Sequence, residues 1–231
     1  MNSFPAIEID KVKAWDFRLI DENTAESLNV AYGVDSNYLD GVGVSITSLV
    51  INNRHVNLDF YIIADVYNDD FFQKVEKLAE QYQLRITLYR INTDNLQCLP
   101  CTQVWSRAMY FRLFAFQLLG VTLNRLLYLD ADVVCKGNIS QLLHLEFNGA
   151  VAAVVRDVDP MQEKAVVRLS DPELRGQYFN SGVVYLDLKK WTEAKLTEKA
   201  LSILMSKDSI YKYPDQDVIC LLYTSPSPRD S

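Results

Sequence analysis

Two carboxylates two residues apart, Asp130 and Asp132, follow the apolar run Leu126 to Leu129 (Leu-Leu-Tyr-Leu) and precede Val133 and Val134. An apolar run that stops at a carboxylate is the pattern of a buried parallel strand ending at a ligand-facing edge. In an extended or tightly turned backbone, this spacing turns both carboxylates toward one point. Two anions held that close repel each other unless a cation lies between them, and an oxygen-only pair suits Mg2+ or Mn2+. The chemistry that follows is a metal-bridged phosphate. The alternative is that both residues solvate or cap a strand-to-loop exit.

Other polar residues stand where the same chemistry would need them. Arg112 lies in the almost wholly apolar stretch Val104 to Leu119, where a buried guanidinium is costly unless it meets an anion. It can pair with the Asp130 carboxylate, with a ligand phosphate, or with both in turn. Asn180-Ser181-Gly182 interrupts a strand-like run with small hydrogen-bonding residues, which suits close approach of a polar ligand such as a sugar; the alternative is a bulge. Asp215, Gln216 and Asp217 follow Pro214, as ordinary helix-start chemistry or as carboxylate and amide groups offered to a ligand. Near the beginning, Gly33 closes an apolar strand, and Asp35 and Tyr38 follow it as a hydrogen-bond acceptor and a stacking face for a nucleoside.

These groups need a frame, and the chain is long enough for one. With 231 residues, 49% of them hydrophobic, it can bury one sizeable core, and it holds no long basic or repetitive block. A formal net charge of -7 excludes a general nucleic-acid binder. The first ten residues lack a basic start and an apolar stretch, so no secretory signal is read, and cytoplasm is the default location. Cys98 and Cys101 form a lone Cys-x-x-Cys without a second pair or a suitably spaced His, and reduced thiols are expected.

Apolar spacing predicts strands at Leu28 to Val34, Leu58 to Ala64 and Arg85 to Arg90, and a buried strand at Gly149 to Val155. Helices are expected at Leu39 to Asn52, through Phe71 to Tyr82, from Val104 to a stop at Gly120, and as one amphipathic segment from Glu193 to Met205. Residues 1–27 read as an N-terminal extension without a motif, with Trp15 and Phe17 as anchors. The expected class is α/β.

Five segments in order, Val-Asp-Ser-Asn-Tyr at 34–38, Tyr-Phe-Arg-Leu at 110–113, Leu-Tyr-Leu-Asp-Ala-Asp at 127–132, Phe-Asn-Ser-Gly-Val at 179–183 and Asp-Gln-Asp at 215–217, resemble glycosyltransferase family 8. Within it, they are similar to the lipopolysaccharide core glucosyl- and galactosyltransferases of enteric bacteria. The resemblance implies a Rossmann-like nucleotide-sugar domain of the GT-A type over residues 28–219, with a mixed, mostly parallel sheet flanked by helices. It implies retaining transfer of a hexose, glucose before galactose, from UDP-glucose or UDP-galactose to the lipopolysaccharide core, with Mg2+ or Mn2+ as cofactor. By position, Asp35, Asn37 and Tyr38 would hold the uridine and Gly33 would leave room for it. Asp130 and Asp132, flanking Ala131, would bind the metal that bridges the diphosphate. Arg112, Asp157, Asn180, Ser181, Asp215 and Gln216 would line the donor sugar and the reaction centre, with Asp157, Asp215 and Gln216 as the catalytic candidates.

The end of the sequence departs from the family. After Val218 the family continues to a His-x-x-Gly-x-x-Lys-Pro-Trp motif, whose His completes the metal site and whose Lys reaches the diphosphate, and to a basic, aromatic region that meets the cytoplasmic face of the inner membrane. Residues 220–231, which include Cys-Leu-Leu-Tyr-Thr-Ser-Pro-Ser-Pro-Arg-Asp, instead look like the translation of a sequencing-library adapter. The expectation is a truncated gene fragment whose locus reads on past Val218. Two other classes are weighed. A haloacid-dehalogenase-like phosphatase would use Asp130 as nucleophile and Asp132 as acid, but that motif opens its domain, whereas a full nucleotide-binding half precedes it here. A UDP-sugar-binding fragment without catalysis is the other.

Overall fold

The computed structural model describes residues 7–18, 26–101, 106–206 and 211–224. A seven-stranded sheet, in the order β1-β4-β3-β2-β5-β7-β6, carries helices on both faces. Its strands are β1 (Ile9–Asp16), β2 (Leu28–Val34), β3 (Leu58–Ala64), β4 (Arg85–Ile91), β5 (Arg125–Leu129), β6 (Ala152–Arg156) and β7 (Phe179–Asp187). The helices are α1 (Leu39–Asn52), α2 (Asp69–Tyr82), α3 (Phe111–Leu119), α4 (Asp159–Leu169), α5 (Leu188–Glu193), α6 (Leu196–Met205) and α7 (Pro214–Thr224).

The inner strands β2 and β3 are apolar apart from Asn29, Gly33 and Asp59 because both their faces are covered. Alternate side chains serve different layers. Val30, Tyr32, Phe60, Ile62, Leu127 and Leu129 pack with α1 and α2, while Ala31, Tyr61, Ile63, Leu126 and Tyr128 pack with α3, α5, α6 and α7. Pairing is parallel at β2–β3, β3–β4 and β2–β5, and antiparallel at β1–β4, β5–β7 and β6–β7. Strand order therefore reverses beside β2, and the carboxyl ends of β2 and β5 open a crevice at that switch point.

Several expectations change. The segment before Leu28 supplies an edge strand, β1, rather than anchors alone: Trp15 is buried and donates Nε1 to Glu76 Oε1 at 3.0 Å, but Phe17 is 37% exposed. Lys and Asp along an edge strand keep it from pairing further and also hide its apolar period. The strand expected at Gly149 to Val155 starts at Ala152 and pairs only with β7, leaving Val155 61% exposed. The segment Glu193 to Met205 breaks at Lys195, whose φ of 52° is left-handed, after Asp187 has capped a separate α5. The helix expected from Val104 begins with a 3-10 turn at Arg107–Tyr110; Val104 and Trp105 lie outside the described residues. At the other end, α7 runs through Val218 to Thr224 with Cys220 buried.

Candidate functional site

Asp130 is the first residue beyond β5, and strand alternation places it on the Leu126 and Tyr128 side, where α3 begins. Arg112, in the first turn of α3, meets it: Nη2 lies 2.9 Å from Asp130 Oδ1. Arg112 Nε lies 3.0 Å from Asp215 Oδ2, in the first turn of α7, and Nη1 donates to the Ser181 carbonyl of β7. Its guanidinium carbon sits 4.9 Å from the centre of the Tyr128 ring. The buried cation thus ties three segments together. Burial disfavours its charge, but Asp215 and Asp130 more than offset this and raise its pKa. The Asp215 carboxyl is pushed up by burial, with Arg112 opposing and Asp130 adding to the rise.

The Asn180-Ser181-Gly182 segment of β7 braces both ends of this cluster. Asp130 N donates to the Gly182 carbonyl at 2.9 Å, and a side chain at Gly182 would put its Cβ 2.6 Å from Asp130 Oδ2. Only glycine lets this carboxylate lie so close to the strand. Ser181 is buried, and its hydroxyl lies 3.3 Å from Asp215 Oδ2. The register slip between Val154 and Val155, which pair with Val184 and Asn180, makes this segment a bulge as well.

Around the cluster lie two adjoining compartments. One, of about 250 Å3, is lined by Gly33, Asp35, Tyr38, Ser106, Met109 and Ala131. The other, of about 350 Å3, is lined by Asp157, Met161, Asn180, Ser181, Tyr213, Asp215 and Gln216. Met109, Arg112, Asp130 and Asp132 face both. One compartment carries an exposed aromatic face and a carboxylate, the other a set of buried hydrogen-bonding groups, and the two aspartates stand at their junction.

The glycosyl transferase family 8 profile matches residues 29–225. The chain belongs to glycosyltransferase family 8. It is 86% identical over 222 residues to a lipopolysaccharide 1,2-glucosyltransferase of Escherichia coli (strain K12), covering 96% of this chain and 66% of that protein. A lipopolysaccharide 1,3-galactosyltransferase of Salmonella typhimurium is 35% identical over 208 residues, covering 88% of this chain and 62% of that protein. The chain thus spans about two thirds of the length of these curated relatives. Among solved structures, the galactosyltransferase LgtC in complex with donor and acceptor sugar analogues superposes with a TM-score of 0.74 at 20% identity, over 85% of this chain and 70% of that one. This likeness is one of fold, of the GT-A type.

In this family 8 chain the expected residues gather, with three qualifications. Asn37 is exposed and lines neither compartment; its backbone N–H donates to Asp35 Oδ1 at 3.0 Å. The space left by the missing side chain of Gly33 is taken by Phe111 Cβ, 2.8 Å from where a Cβ would stand, so this glycine admits α3. Asp217, singled out beside Asp215, is buried behind the site, where it pairs with Arg168 and accepts from Tyr178 Oη at 2.6 Å. Sequence reasoning missed Gly182 as the brace of Asp130, although the glycine was visible in its motif. It also missed Ser106, which donates to Asp35 Oδ2 at 2.7 Å, and Tyr213; neither carried a signal in its own neighbourhood.

Proposed function

We propose that the chain is the nucleotide-sugar half of a retaining, metal-dependent hexosyltransferase that passes glucose from UDP-glucose to the lipopolysaccharide core. The observation that carries this reading is the pair Asp130 and Asp132 at the junction of the two compartments. Uridine would occupy the Asp35 and Tyr38 side, the diphosphate the junction, and the sugar the Ser181, Asp215 and Gln216 side. Glucose is favoured over galactose by the 86% identity to a glucosyltransferase.

The donor set fits a hard divalent cation. Asp130 keeps Oδ2 outside its bond to Arg112, and Asp132 is exposed. No group of three or more His, Cys, Asp or Glu gathers among the described residues, so two carboxylates would leave the remaining positions to phosphate oxygens and water, as Mg2+ and Mn2+ accept. Asp130 and Asp132 would hold Mg2+ or Mn2+, which offsets negative charge developing on departing UDP. The chain's own residues do the rest. Arg112 fixes Asp130 and Asp215, and Ser181 and Gln216 provide the polar floor beneath the sugar. No helix among the described residues is long and apolar enough to cross a membrane, and contact with the inner-membrane face would be peripheral.

Calorimetric titration with UDP-glucose and with UDP-galactose, in Mn2+ and again in EDTA, tests the reading. Metal-dependent binding that prefers UDP-glucose and is lost in Asp130→Ala and Asp132→Ala is the expected result. Binding indifferent to metal and to both substitutions would overturn it.

A further inference from the structure

The compartment of about 350 Å3 contains a side-chain amide held at both ends. Gln216 Nε2 donates to Asp157 Oδ2 at 3.0 Å, while Gln216 Oε1 accepts from Ser181 N at 3.1 Å and lies 3.4 Å from the Ser181 hydroxyl. A carboxylate only accepts and a backbone N–H only donates, so the partners themselves assign the two ends of the amide. Both partners are held in turn. Asp157 Oδ1 accepts from Val158 N at 2.8 Å, its carbonyl accepts from Gln162 Nε2 at 2.9 Å, and its own N–H donates to the Tyr178 carbonyl at 3.1 Å. Ser181 sits in β7, its carbonyl engaged by Arg112.

We propose that Asp157 is a positioning residue for Gln216: with the Ser181 amide it locks the Gln216 side chain in one of its two flips and so decides which edge faces the sugar. An amide without the Asp157 contact could turn over and exchange a donor for an acceptor at the floor of the compartment. The carboxylate prevents this because a hydrogen bond to a charged acceptor is stronger than one to a neutral group or water. Asp157 lines the same compartment, and its Oδ2 is engaged by the Gln216 amide, so it acts through Gln216. Only the identity of the ligand as a sugar rests on the transferase reading; the lock is a property of the three residues.

The test has two arms that need no turnover. In the 231-residue chain labelled at glutamine nitrogen, with Gln216 assigned from its absence in Gln216→Ala, the two side-chain amide protons are expected at well-separated positions. In Asp157→Ala they converge toward the values of an exposed glutamine, and in Asp157→Asn, which keeps one acceptor oxygen, part of the separation survives. The second arm is a charge test. Gln216→Glu places a second carboxylate against Asp157 and lowers the thermal midpoint, and adding Asp157→Asn restores most of it. Unmoved Gln216 signals in Asp157→Ala, or no recovery in the double variant, would overturn the proposal.

A kinetic arm separates positioning from direct contact. Asp157→Ala is expected to lower kcat at least about tenfold with the donor KM within about threefold, and Asp157→Asn to recover part of the loss. Equal loss in both variants, or a rise in KM at unchanged kcat, would mean that Asp157 touches substrate itself. Failure of the transferase reading would leave the first two arms intact.

Discussion

Replacing Arg112 by Met removes a buried cation from between two carboxylates while keeping most of the volume of its stem. Arg112 lies 3.0 Å from Asp215 and 2.9 Å from Asp130, but the two partners differ in exposure: the Asp215 side chain is 9% exposed and that of Asp130 35%. Water can take over at Asp130. It cannot at Asp215, where removing one member of a buried pair leaves an uncompensated charge and costs about 3–5 kcal/mol. For a chain of this size that is a fall in Tm of roughly 6–20 °C. The pH dependence carries the sharper signature. Burial already raises the folded-state pKa of Asp215 above its unfolded value, and losing Arg112 raises it further. With the folded state binding more protons than the unfolded one, stability falls as pH rises from the ordinary carboxylate range through the raised value. Arg112→Met should widen that window, so its deficit relative to the parent should be largest at neutral pH and shrink on mild acidification. Urea unfolding followed by tryptophan fluorescence, at neutral and mildly acidic pH, measures this. A deficit below about 1 kcal/mol at neutral pH, or one that does not change with pH, would refute the argument that Asp215 depends on Arg112 for its charge.

Three further outcomes are expected. Gly182→Ala forces Asp130 Oδ2 away from a Cβ that would stand 2.6 Å off, and should weaken Mn2+ binding about tenfold or more, read by calorimetry, while the fold persists in circular dichroism. Asp217→Ala leaves Arg168 and Tyr178 without their shared acceptor and should cost about 3–5 kcal/mol in urea unfolding, as an entirely buried partner of an ion pair. Tyr38→Ala, at a residue that is 58% exposed and lines the compartment of about 250 Å3, should leave stability within about 0.5 kcal/mol while lowering UDP affinity by roughly 1–3 kcal/mol of lost stacking.

The inner strands were legible in the sequence because burial on both faces writes itself as a mostly apolar run, and Leu28–Val34 and Leu58–Ala64 fall where that run lies, each with one polar residue, Asn29 or Asp59, near its start. The edge strands were not. β1 mixes Lys and Asp with its apolar residues because one backbone edge faces solvent, and β6 keeps valines that its single neighbour does not cover. Within the site, the meeting of Arg112 with Asp130 followed from the cost of burying a guanidinium. Its simultaneous contact with Asp215 did not, because nothing in the 102 residues between positions 112 and 215 states how α7 returns to the sheet. The same holds for Asp217: two aspartates in one turn read alike, and only the fold turns one to the cleft and the other to Arg168.

The division of β5 between two layers has a consequence for how such a site can change. Leu127 and Leu129 serve one face and Leu126 and Tyr128 the other, and Asp130 inherits its meeting with Arg112 from that count. Inserting or deleting a single residue within the strand would exchange every side chain between faces and turn the carboxylate toward α1. The site is guarded by parity: the strand that delivers Asp130 can change length only in steps of two.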